Sequence, residues 1–323
     1  MNVKLLGASG FVGTRLLRLL NANPEVYSLK NIDIQPSSEF RDITEIGDVR
    51  IQSDMEKYLV DSDVVVLLAA QHRDDVTPIS LYYDTNVDGL KVVLNAMESN
   101  QCKRFVFFSS VSVYGLNKNK PDENSSKDPF NHYGKSKLEA ELVLQEWYKT
   151  HADWNINIIR PTVIFGENNR GNVYNLLKQI ADGKFLMVGD GTNKKSMAYV
   201  GNVASFAKYL IEEYQSGYNV FNYVDSPDMT MNELVQFVKQ VLGKSESFLR
   251  IPYCLGILGG WCFDVMSKMI SKKFSISSVR IKKFCATTEF DSSRVMESGF
   301  KPSYELKEAL DRTIKFEFGN NKD

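Results

Sequence analysis

The sequence predicts an α/β protein built on a doubly wound parallel sheet, with a smaller, mostly helical C-terminal part. Two observations lead to this prediction. Short apolar runs alternate with segments of helical periodicity through the first half of the chain, and several of these runs end in glycine or in small polar residues. Such runs are typical of parallel strands buried on both faces, and strand–helix alternation produces right-handed crossovers with helices on both sides of the sheet.

The apolar runs and the helical periodicity predict the following strands and helices in chain order. Strands are predicted at VKLLG (3–7), SLKNIDI (28–34), VRIQSD (49–54), DVVVLLAA (63–70), KRFVFFSS (103–110), NINIIRPTVIFG (155–166) and YNVFNYV (218–224). Helices are predicted at FVGTRLLRLLNA (11–22), TNVDGLKVVLNAMES (85–99), YGKSKLEAELVLQEWYK (133–149), NVYNLLKQIADG (172–183), MNELVQFVKQVLG (231–243) and YELKEALDRTIKF (304–316).

The alternation also predicts the domain organisation. A nucleotide-binding domain is expected over 1–165, rejoined by about 202–225. The regular alternation loosens after Gly166, so residues 166–201 and 226–323 are expected to form a substrate-binding domain. A length of 323 residues is sufficient for one large domain or two modest ones.

Composition excludes several function classes. The formal net charge of −1 gives no bulk attraction to nucleic acid or to an anionic membrane. The four cysteines form no CxxC pair and the three histidines do not stand at ligand spacing, so no metal site is predicted. The N-terminus MNVKLLGASG lacks the pattern of a signal peptide, and scattered free cysteines fit a reducing compartment, so we expect a cytoplasmic protein.

One apolar segment, IPYCLGILGGWCFDVM at 251–266, needs separate treatment. Three glycines dilute it and Asp264 interrupts it, and it is shorter than the roughly 20 residues of a membrane-spanning helix. The preferred interpretation is a buried or interface helix. Contact with a membrane surface is the alternative.

The turn GASGFVG places Gly7, Gly10 and Gly13 between the first predicted strand and the first predicted helix. Glycine permits a tight turn and a close approach of a diphosphate to the N–H groups of the helix N-terminus, as in a Rossmann domain. Asp33 ends the next strand and can accept hydrogen bonds from ribose hydroxyls, which favours NAD over NADP. Asp54 is a candidate for contact with the adenine ring.

Catalytic candidates follow the strand KRFVFFSS. Ser110 stands at its carboxyl end, where ligands bind in a doubly wound sheet. The next predicted helix carries Tyr133 and Lys137 four residues apart. A glycine turn, a strand-end serine and Y-x-x-x-K in this order are a much rarer combination than any one of them alone.

These motifs together resemble an extended short-chain dehydrogenase/reductase of the nucleotide-sugar epimerase and dehydratase group. The resemblance extends over nearly the whole chain. It rests on GASGFVG, the LLAA run at 67–70, TNVDG with Asn86, SSVSVYG, YGKSK, RPTVIFG and GDGTNKKSMAYVGNVA.

The resemblance implies a role for each catalytic candidate. Tyr133 is the acid/base that takes or returns the proton of a sugar C4 hydroxyl, and Ser110 binds the reacting oxygen. Lys137 makes the phenol of Tyr133 more acidic and holds the nicotinamide ribose, and Asn86 supports Lys137. Hydride moves between the sugar carbon and NAD through a keto intermediate.

The NAD site implied by the resemblance is lined by the glycine turn, by strand ends and by the catalytic helix. Its expected residues are Gly7, Gly10, Phe11, Val12, Gly13, Asp33, Asp54, Met55, Leu68, Ala69, Ala70, Tyr133, Lys137 and Pro161. The expected substrate residues are Ser110, Asn172 and Lys195, with Lys195 at the diphosphate of a nucleotide sugar. Relatives of this kind are commonly homodimers, and we expect the same here.

The subgroup is less sharply defined. Val111 and Ser112 replace the Asp-Glu pair of sugar dehydratases, and Val163 replaces the substrate asparagine of galactose-type 4-epimerases. The remaining motifs are closer to epimerases and 4-ketoreductases of deoxy- and amino-sugars in surface-polysaccharide pathways. An NAD-dependent nucleotide-sugar epimerase is preferred, and an NAD(P)-dependent 4-ketoreductase is the alternative. A hydroxysteroid-type dehydrogenase and a non-catalytic nucleotide-binding regulator fit the sequence less well.

Overall fold

The computed structural model describes residues 1–73, 75–116, 118–213, 216–245, 247–270 and 277–319. Twelve strands are found in these ranges. They are β1 (Asn2–Leu6), β2 (Ser28–Asp33), β3 (Thr44–Ile46), β4 (Val64–Leu67), β5 (Arg104–Phe108), β6 (Asn155–Pro161), β7 (Val163–Phe165), β8 (Met187–Val188), β9 (Lys194–Tyr199), β10 (Gly217–Tyr223), β11 (Asp225–Thr230) and β12 (Arg250–Ile251).

The same ranges contain twelve α-helices. They are α1 (Phe11–Asn21), α2 (Gln52–Tyr58), α3 (Ser80–Tyr83), α4 (Gly89–Ser99), α5 (His132–Tyr148), α6 (Asn172–Ala181), α7 (Val200–Glu212), α8 (Met231–Val241), α9 (Tyr253–Ile270), α10 (Ser278–Cys285), α11 (Ser293–Glu297) and α12 (Leu306–Phe318).

Seven parallel strands form the central sheet in the order β10-β6-β5-β4-β1-β2-β3. Every residue of β4 and of β6 is buried, as expected for strands covered by helices on both faces. The chain leaves β1 toward β2 and β3 and then returns to the other side of β1 to form β4. This reversal of direction is where doubly wound sheets bind ligands, beyond the carboxyl ends of the strands.

Helices cover both faces of the sheet. On one face α1 and α7 pack through residues such as Leu16 and Phe206, and on the other α4 and α5 pack through residues such as Val93 and Leu144. The predicted fold, a doubly wound α/β sheet, is confirmed.

A smaller C-terminal part packs around a three-stranded sheet of order β11-β9-β7, with α6, α8 and α12 against it. Strand β10 belongs instead to the central sheet, next to β6. The predicted domain boundaries stay a prediction.

Two element predictions are wrong. The third strand is Thr44–Ile46, and residues 49–54 instead lead into helix α2, which begins at Gln52. The single strand predicted at 155–166 is interrupted at Thr162, whose hydroxyl donates to the carbonyl of Ser196 at 3.0 Å. The chain after Thr162 therefore joins the smaller sheet as β7.

The apolar segment at 251–266 lies within helix α9, which stands at the surface. A Cβ on Gly260 would lie 2.8 Å from the Cα of Ser278, so this side of α9 is pressed against α10. The opposite side is exposed at Leu258, Trp261 and Val265. A buried helix is therefore wrong for this outward face, and an interface helix, the other form of the expectation, stays a prediction. Across the described residues, helices with the length and hydropathy of a membrane span are absent.

Candidate active site

The glycine turn between β1 and α1 requires glycine at two of its three positions. Gly7 has φ +84°, and a Cβ there would lie 2.5 Å from the Cα of Ala69. A Cβ on Gly13 would lie 2.3 Å from the Cα of Ala8. Gly10 caps α1, and a Cβ there would have its nearest neighbour at 3.9 Å. The space in front of the first helical N–H groups is therefore open to a diphosphate.

Asp33 is fixed beside this turn. Its Oδ2 accepts a hydrogen bond from the N–H of Ser9 at 2.9 Å, and its Oδ1 accepts one from the N–H of Gln35 at 3.0 Å. The neighbouring Asn31 is buried and accepts from the N–H of Ala8 at 3.0 Å. The carboxylate thus has a defined position at the carboxyl end of β2, next to the open N-terminus of α1.

The other expected cofactor residues fall into two groups. Leu68, Ala69 and Ala70 follow β4 and are half-buried, and Phe11 and Val12 begin α1 at the edge of the core. These residues border the strand ends.

Three expected cofactor residues are largely turned inward or already bonded. Met55 is fully buried among core side chains, and Pro161 is buried at the end of β6. Asp54 lies in α2 and accepts from the N–H of Asp48 at 2.9 Å. The proposed contact of Asp54 with adenine stays a prediction.

The start of α5 packs directly on the turn that follows β5. A Cβ on Gly134 would lie 2.5 Å from the carbonyl oxygen of Ser112, so only glycine permits this approach. Asn131 caps the helix by accepting from the N–H of Gly134 at 2.8 Å. This packing brings Tyr133 into hydrogen-bond contact with Ser110, the two residues predicted to act on the substrate hydroxyl.

Lys137 is buried one helical turn further along α5. Its Nζ donates to the carbonyl of Phe108 at 2.7 Å and lies 4.9 Å from the centre of the Phe107 ring. Burial lowers the pKa of Lys137 to about 7, although the nearby carboxylate of Glu141 acts in the opposite direction. Burial therefore makes the ammonium form of Lys137 less favourable than that of an exposed lysine.

The acidified phenol expected from the sequence is not found in the chain alone. Burial raises the pKa of Tyr133 above the ordinary value of 10, and the hydrogen bond with Ser110 opposes this only in part. Spacing along a helix gives no information about desolvation, so the sequence did not indicate this direction, and the acidified phenol stays a prediction for the NAD-bound protein. The same burial that stabilises the neutral phenol also reduces the charge on Lys137.

Asn86 lies in a π-helical turn, Asp84–Asp88, and is buried. Its amide bonds the N–H and the carbonyl of Gln71 at 2.8 and 3.0 Å and donates to the hydroxyl of Ser136 at 2.9 Å. Ser136 in turn donates to the carbonyl of Tyr133 at 2.9 Å. Asn86 thus contacts the catalytic helix one residue before Lys137 and ties it to the segment after β4.

A buried ion pair below the site was missed by the sequence analysis. Arg160 of β6 donates from Nε to Glu141 of α5 at 2.8 Å, and both side chains are buried. Ser109 donates to the same carboxylate, and Arg160 also donates to the hydroxyl of Tyr114 at 2.6 Å. Two features of the sequence could have indicated this pair. Arg160 is a charged residue inside an apolar strand, and Glu141 lies eight residues after Tyr133 on the same face of the helix.

The two remaining substrate candidates differ in exposure. Asn172 begins α6 and is exposed. Lys195 donates from Nζ to the carbonyl of Lys283 at 3.0 Å and to that of Ala286, at the C-terminal end of α10. Burial lowers the pKa of Lys195 to about 8. The structure therefore does not bring these two side chains into contact with Tyr133.

The described part of the chain contains no group of three or more His, Cys, Asp or Glu side chains that could hold a metal ion. The polar groups described around Tyr133 and the glycine turn include the hydroxyl of Ser110, the buried ammonium of Lys137 and the carboxylate of Asp33. Together with the open N-terminus of α1 they suit a dinucleotide and a polyol rather than a cation.

Comparisons with known proteins agree with this arrangement. The model of the NAD dependent epimerase/dehydratase family matches residues 3–223. The chain is 59% identical, over 99% of its length and 96% of the relative, to the N-acetyl-α-D-glucosaminyl-diphospho-ditrans,octacis-undecaprenol 4-epimerase of Escherichia coli O157:H7. It is 28% identical to the UDP-glucose 4-epimerase of Vibrio cholerae, over 99% of this chain and 97% of that protein.

Solved structures share the fold. The UDP-glucose 4-epimerase of Thermotoga maritima, solved with UDP-glucose, has a TM-score of 0.76 at 20% identity and covers 98% of both chains. The UDP-glucuronic acid 4-epimerase of Bacillus cereus, solved with NAD, has a TM-score of 0.76 at 21% identity, again over 98% of both chains.

The glycine turn supports a prediction with an internal control. Gly13→Ala forces a Cβ against the backbone of Ala8 and should lower the free energy of unfolding by about 1–3 kcal/mol. Gly10→Ala places its Cβ at an ordinary van der Waals distance, 3.9 Å, from the carbonyl oxygen of Gly7, and should change stability by less than about 1 kcal/mol while weakening NAD binding. Urea unfolding and calorimetric NAD titration measure both effects, and equal stability losses in the two variants would contradict the geometry.

The low pKa of Lys137 predicts a pH-dependent stability. Between about pH 7 and 10.5 the unfolded chain binds more protons at this site than the folded chain does, so folding becomes more favourable as pH rises. From pH 7 to pH 9, cofactor-free wild type should gain about 2 kcal/mol relative to Lys137→Met.

Urea unfolding of both proteins at the two pH values measures this difference. The comparison cancels other titrating groups, such as Lys195, because both proteins contain them. A difference that stays constant with pH would show that Lys137 is not desolvated.

Proposed function

The chain belongs to the NAD-dependent epimerase/dehydratase family, and from that premise we propose that it inverts C4 of an N-acetylhexosamine linked through a diphosphate to a polyprenol. The predictions of the family, of NAD as cofactor and of an epimerase are confirmed by the relatives. The observation that carries the choice of substrate is the 59% identity, over 99% of this chain, to an epimerase of such a lipid-linked sugar.

The residues present fit NAD. The open position at Gly10 admits the diphosphate to the N-terminus of α1, and the fixed carboxylate of Asp33 is available to ribose hydroxyls. When bound, NAD accepts a hydride from the sugar carbon and returns it to the other face of the keto sugar. A negatively charged Asp33 disfavours a 2′-phosphate, which supports NAD over NADP.

Tyr133 and Ser110 handle the proton of the C4 hydroxyl. The hydrogen bond between them supports a shared role at one substrate oxygen. Tyr133 takes the proton as the hydroxyl is oxidised and gives it back as the keto oxygen is reduced. Because burial favours the neutral phenol, the base form requires a positive charge nearby, and the oxidised nicotinamide supplies one.

Lys137 is a binding and tuning group in this proposal. With a pKa of about 7 its charge responds to what binds beside it, since any added negative charge or hydrogen-bond acceptor favours the ammonium. Its bond to Phe108 fixes the position of Nζ, and Asn86 fixes the helix through Ser136. Lys137 therefore holds the nicotinamide ribose when NAD is bound.

Asn172 and Lys195 remain the proposed substrate residues outside the catalytic centre. Asn172 is exposed at the start of α6 and is free to contact the sugar or its carrier. Lys195 is bonded to carbonyls at the end of α10, so its charge is held in a fixed place. A fixed ammonium suits the diphosphate that both lipid-linked and nucleotide-linked sugars contain.

A nucleotide-diphosphate sugar is the second candidate substrate. It is favoured by the 28% identity to a UDP-glucose 4-epimerase over 99% of this chain. The alternative 4-ketoreductase has no comparable support.

We further propose a cytoplasmic homodimer. This proposal rests on the family resemblance of the motifs, and Leu142 is a single exposed apolar side chain on α5. Light scattering that gives the mass of a monomer would contradict the dimer.

A direct substrate comparison tests the proposed function. Purified protein is incubated with N-acetylglucosaminyl-diphospho-polyprenol or with UDP-N-acetylglucosamine, and the released sugars are separated by chromatography. We expect conversion of the lipid-linked sugar to its C4 epimer, without net NAD reduction, at a kcat/KM at least about tenfold higher than with the nucleotide sugar. Preference for the nucleotide sugar would reverse the assignment.

The role of Tyr133 predicts a separation of catalysis from cofactor binding. Tyr133→Phe removes the acid/base group and should lower kcat by about 10²–10⁴-fold while leaving NAD bound. Tyr148→Phe on the same helix is the matched control, because its hydroxyl bonds only the carbonyl of Ala152 among the described contacts. Near-normal turnover by Tyr133→Phe would show that another group transfers the proton.

A further inference from the structure

Helix α9 turns an apolar face to solvent along its whole length. Its 18 residues extend over about 27 Å. Six large apolar side chains share this outward face and are each between 42% and 58% exposed: Leu255, Leu258, Trp261, Val265, Met266 and Ile270. We call this set the α9 face. Contiguous exposed apolar surface of this kind marks a site of interaction.

The orientation of α9 is fixed by small residues on its other side. A Cβ on Gly256 would lie 2.4 Å from Cγ1 of Val188, and one on Gly260 would lie 2.8 Å from the backbone of Ser278. Any larger side chain would push the helix off the body of the protein. The α9 face is therefore held outward by close packing behind it.

The acid in the α9 sequence does not interrupt the α9 face. Asp264 accepts hydrogen bonds from the N–H of Ser278 at 3.1 Å and from its hydroxyl at 2.6 Å, at the N-terminus of α10. Its charge is thus turned toward α10. Among the side chains that the structure describes, the α9 face carries no charged group.

The segment of sequence around the α9 face is basic. The sequence from 250 to 285 contains seven lysines and arginines and one acid, in a chain whose net charge is −1. On α10, Arg280 and Lys282 are exposed next to the exposed apolar side chain of Val279. An apolar helix face beside basic residues is the pattern of helices that lie in the interfacial layer of an anionic bilayer.

The α9–α10 pair adjoins the proposed active site. Lys195, the candidate diphosphate residue, bonds carbonyls at the C-terminal end of α10. Lys283, also on α10, places Nζ 4.5 Å from the centre of the ring of Phe130, three residues before Tyr133. A substrate that reaches Tyr133 from this side passes the basic end of α10.

We propose that the α9 face lies in the interfacial layer of an anionic lipid bilayer and brings the active site to a substrate that stays in that bilayer. This inference rests on the proposed function, because a polyprenol chain is too apolar to leave the membrane. The helix lies on the surface and does not cross it, in agreement with its length and with the glycines and Asp264 on its inner side.

A second copy of the chain is a poorer occupant of the α9 face. In a twofold interface the same surface of both protomers is in contact. Two copies of the basic 250–285 segment would therefore be brought together. Like charges placed opposite one another disfavour that contact. An anionic bilayer matches both the apolar side chains and the charge.

Vesicle flotation tests the proposal with the full chain. Wild-type protein should float with vesicles of phosphatidylglycerol and phosphatidylethanolamine. At least about tenfold less protein should float with vesicles of phosphatidylcholine. Leu258→Glu/Val265→Glu should lose at least about tenfold of the binding to anionic vesicles. Met296→Glu/Phe316→Glu, at exposed apolar positions elsewhere, should bind as wild type does.

Unchanged flotation of Leu258→Glu/Val265→Glu would overturn the proposal. The proposal would also be overturned if wild type did not bind vesicles and formed a dimer that this variant did not form. A second copy of the chain would then cover the α9 face. Both double variants should unfold at nearly the wild-type temperature, because the four substituted side chains are exposed.

Fluorescence gives an independent readout of contact. Trp261 lies on the α9 face, whereas Trp154 is buried and Trp147 packs on His151. Lipids brominated near the headgroup should quench the wild-type emission, and Trp261→Phe should abolish this quenching. Quenching that persists in Trp261→Phe would place the contact elsewhere.

An activity measurement separates this inference from the proposed function. Leu258→Glu/Val265→Glu should turn over a short-chain, water-soluble polyprenyl-diphospho-sugar at the wild-type rate and should lose at least about tenfold on the same sugar in vesicles. Equal rates of variant and wild type on the vesicle substrate would overturn the inference while leaving the function intact. Failure of wild type on both substrates would refute the function, whereas the flotation result would still stand.

Discussion

The site depends on a line of polar groups that one face of α5 presents to the sheet. Tyr133, Lys137 and Glu141 follow one another at intervals of four residues and each meets a partner from a strand end: Ser110, Phe108 and Arg160. Removing one partner from a buried ion pair leaves an uncompensated charge, so the Glu141–Arg160 pair constrains how α5 can lie. The position of Tyr133 over the strand ends follows from that constraint.

This arrangement leaves the chain chemically incomplete without its cofactor. Burial favours the neutral phenol of Tyr133 and lowers the pKa of Lys137 to about 7, so the phenolate is disfavoured and the charge on Lys137 is reduced. In the proposed site Tyr133 and Lys137 would face the nicotinamide and its ribose, and a cationic ring with hydroxyl acceptors would favour the phenolate and the ammonium. The proposal therefore predicts that proton transfer by Tyr133 depends on bound NAD.

Much of the site could be predicted, because its residues have conformational or chemical roles that few other residue types can perform. Gly7 and Gly13 are required by close backbone contacts, and the order of glycine turn, Ser110 and Tyr133 fixes their places around a parallel sheet. Desolvation could not be predicted, so the sequence did not indicate that burial raises the pKa of Tyr133 in the chain without cofactor. The outward side of α9 could not be predicted either, because periodicity shows an apolar helix without showing which side the protein covers.

The ionisation of Tyr133 tests the central claim most directly. With ¹³C-labelled tyrosine at the ring carbon that bears the hydroxyl, and Tyr133→Phe to assign its signal, NMR follows the phenol through a pH titration in the cofactor-free and NAD-bound protein. We expect a pKa above 10 without cofactor and a clear decrease when oxidised NAD binds. A phenol that already titrates below 10 in the cofactor-free chain, or that does not respond to NAD, would contradict the account.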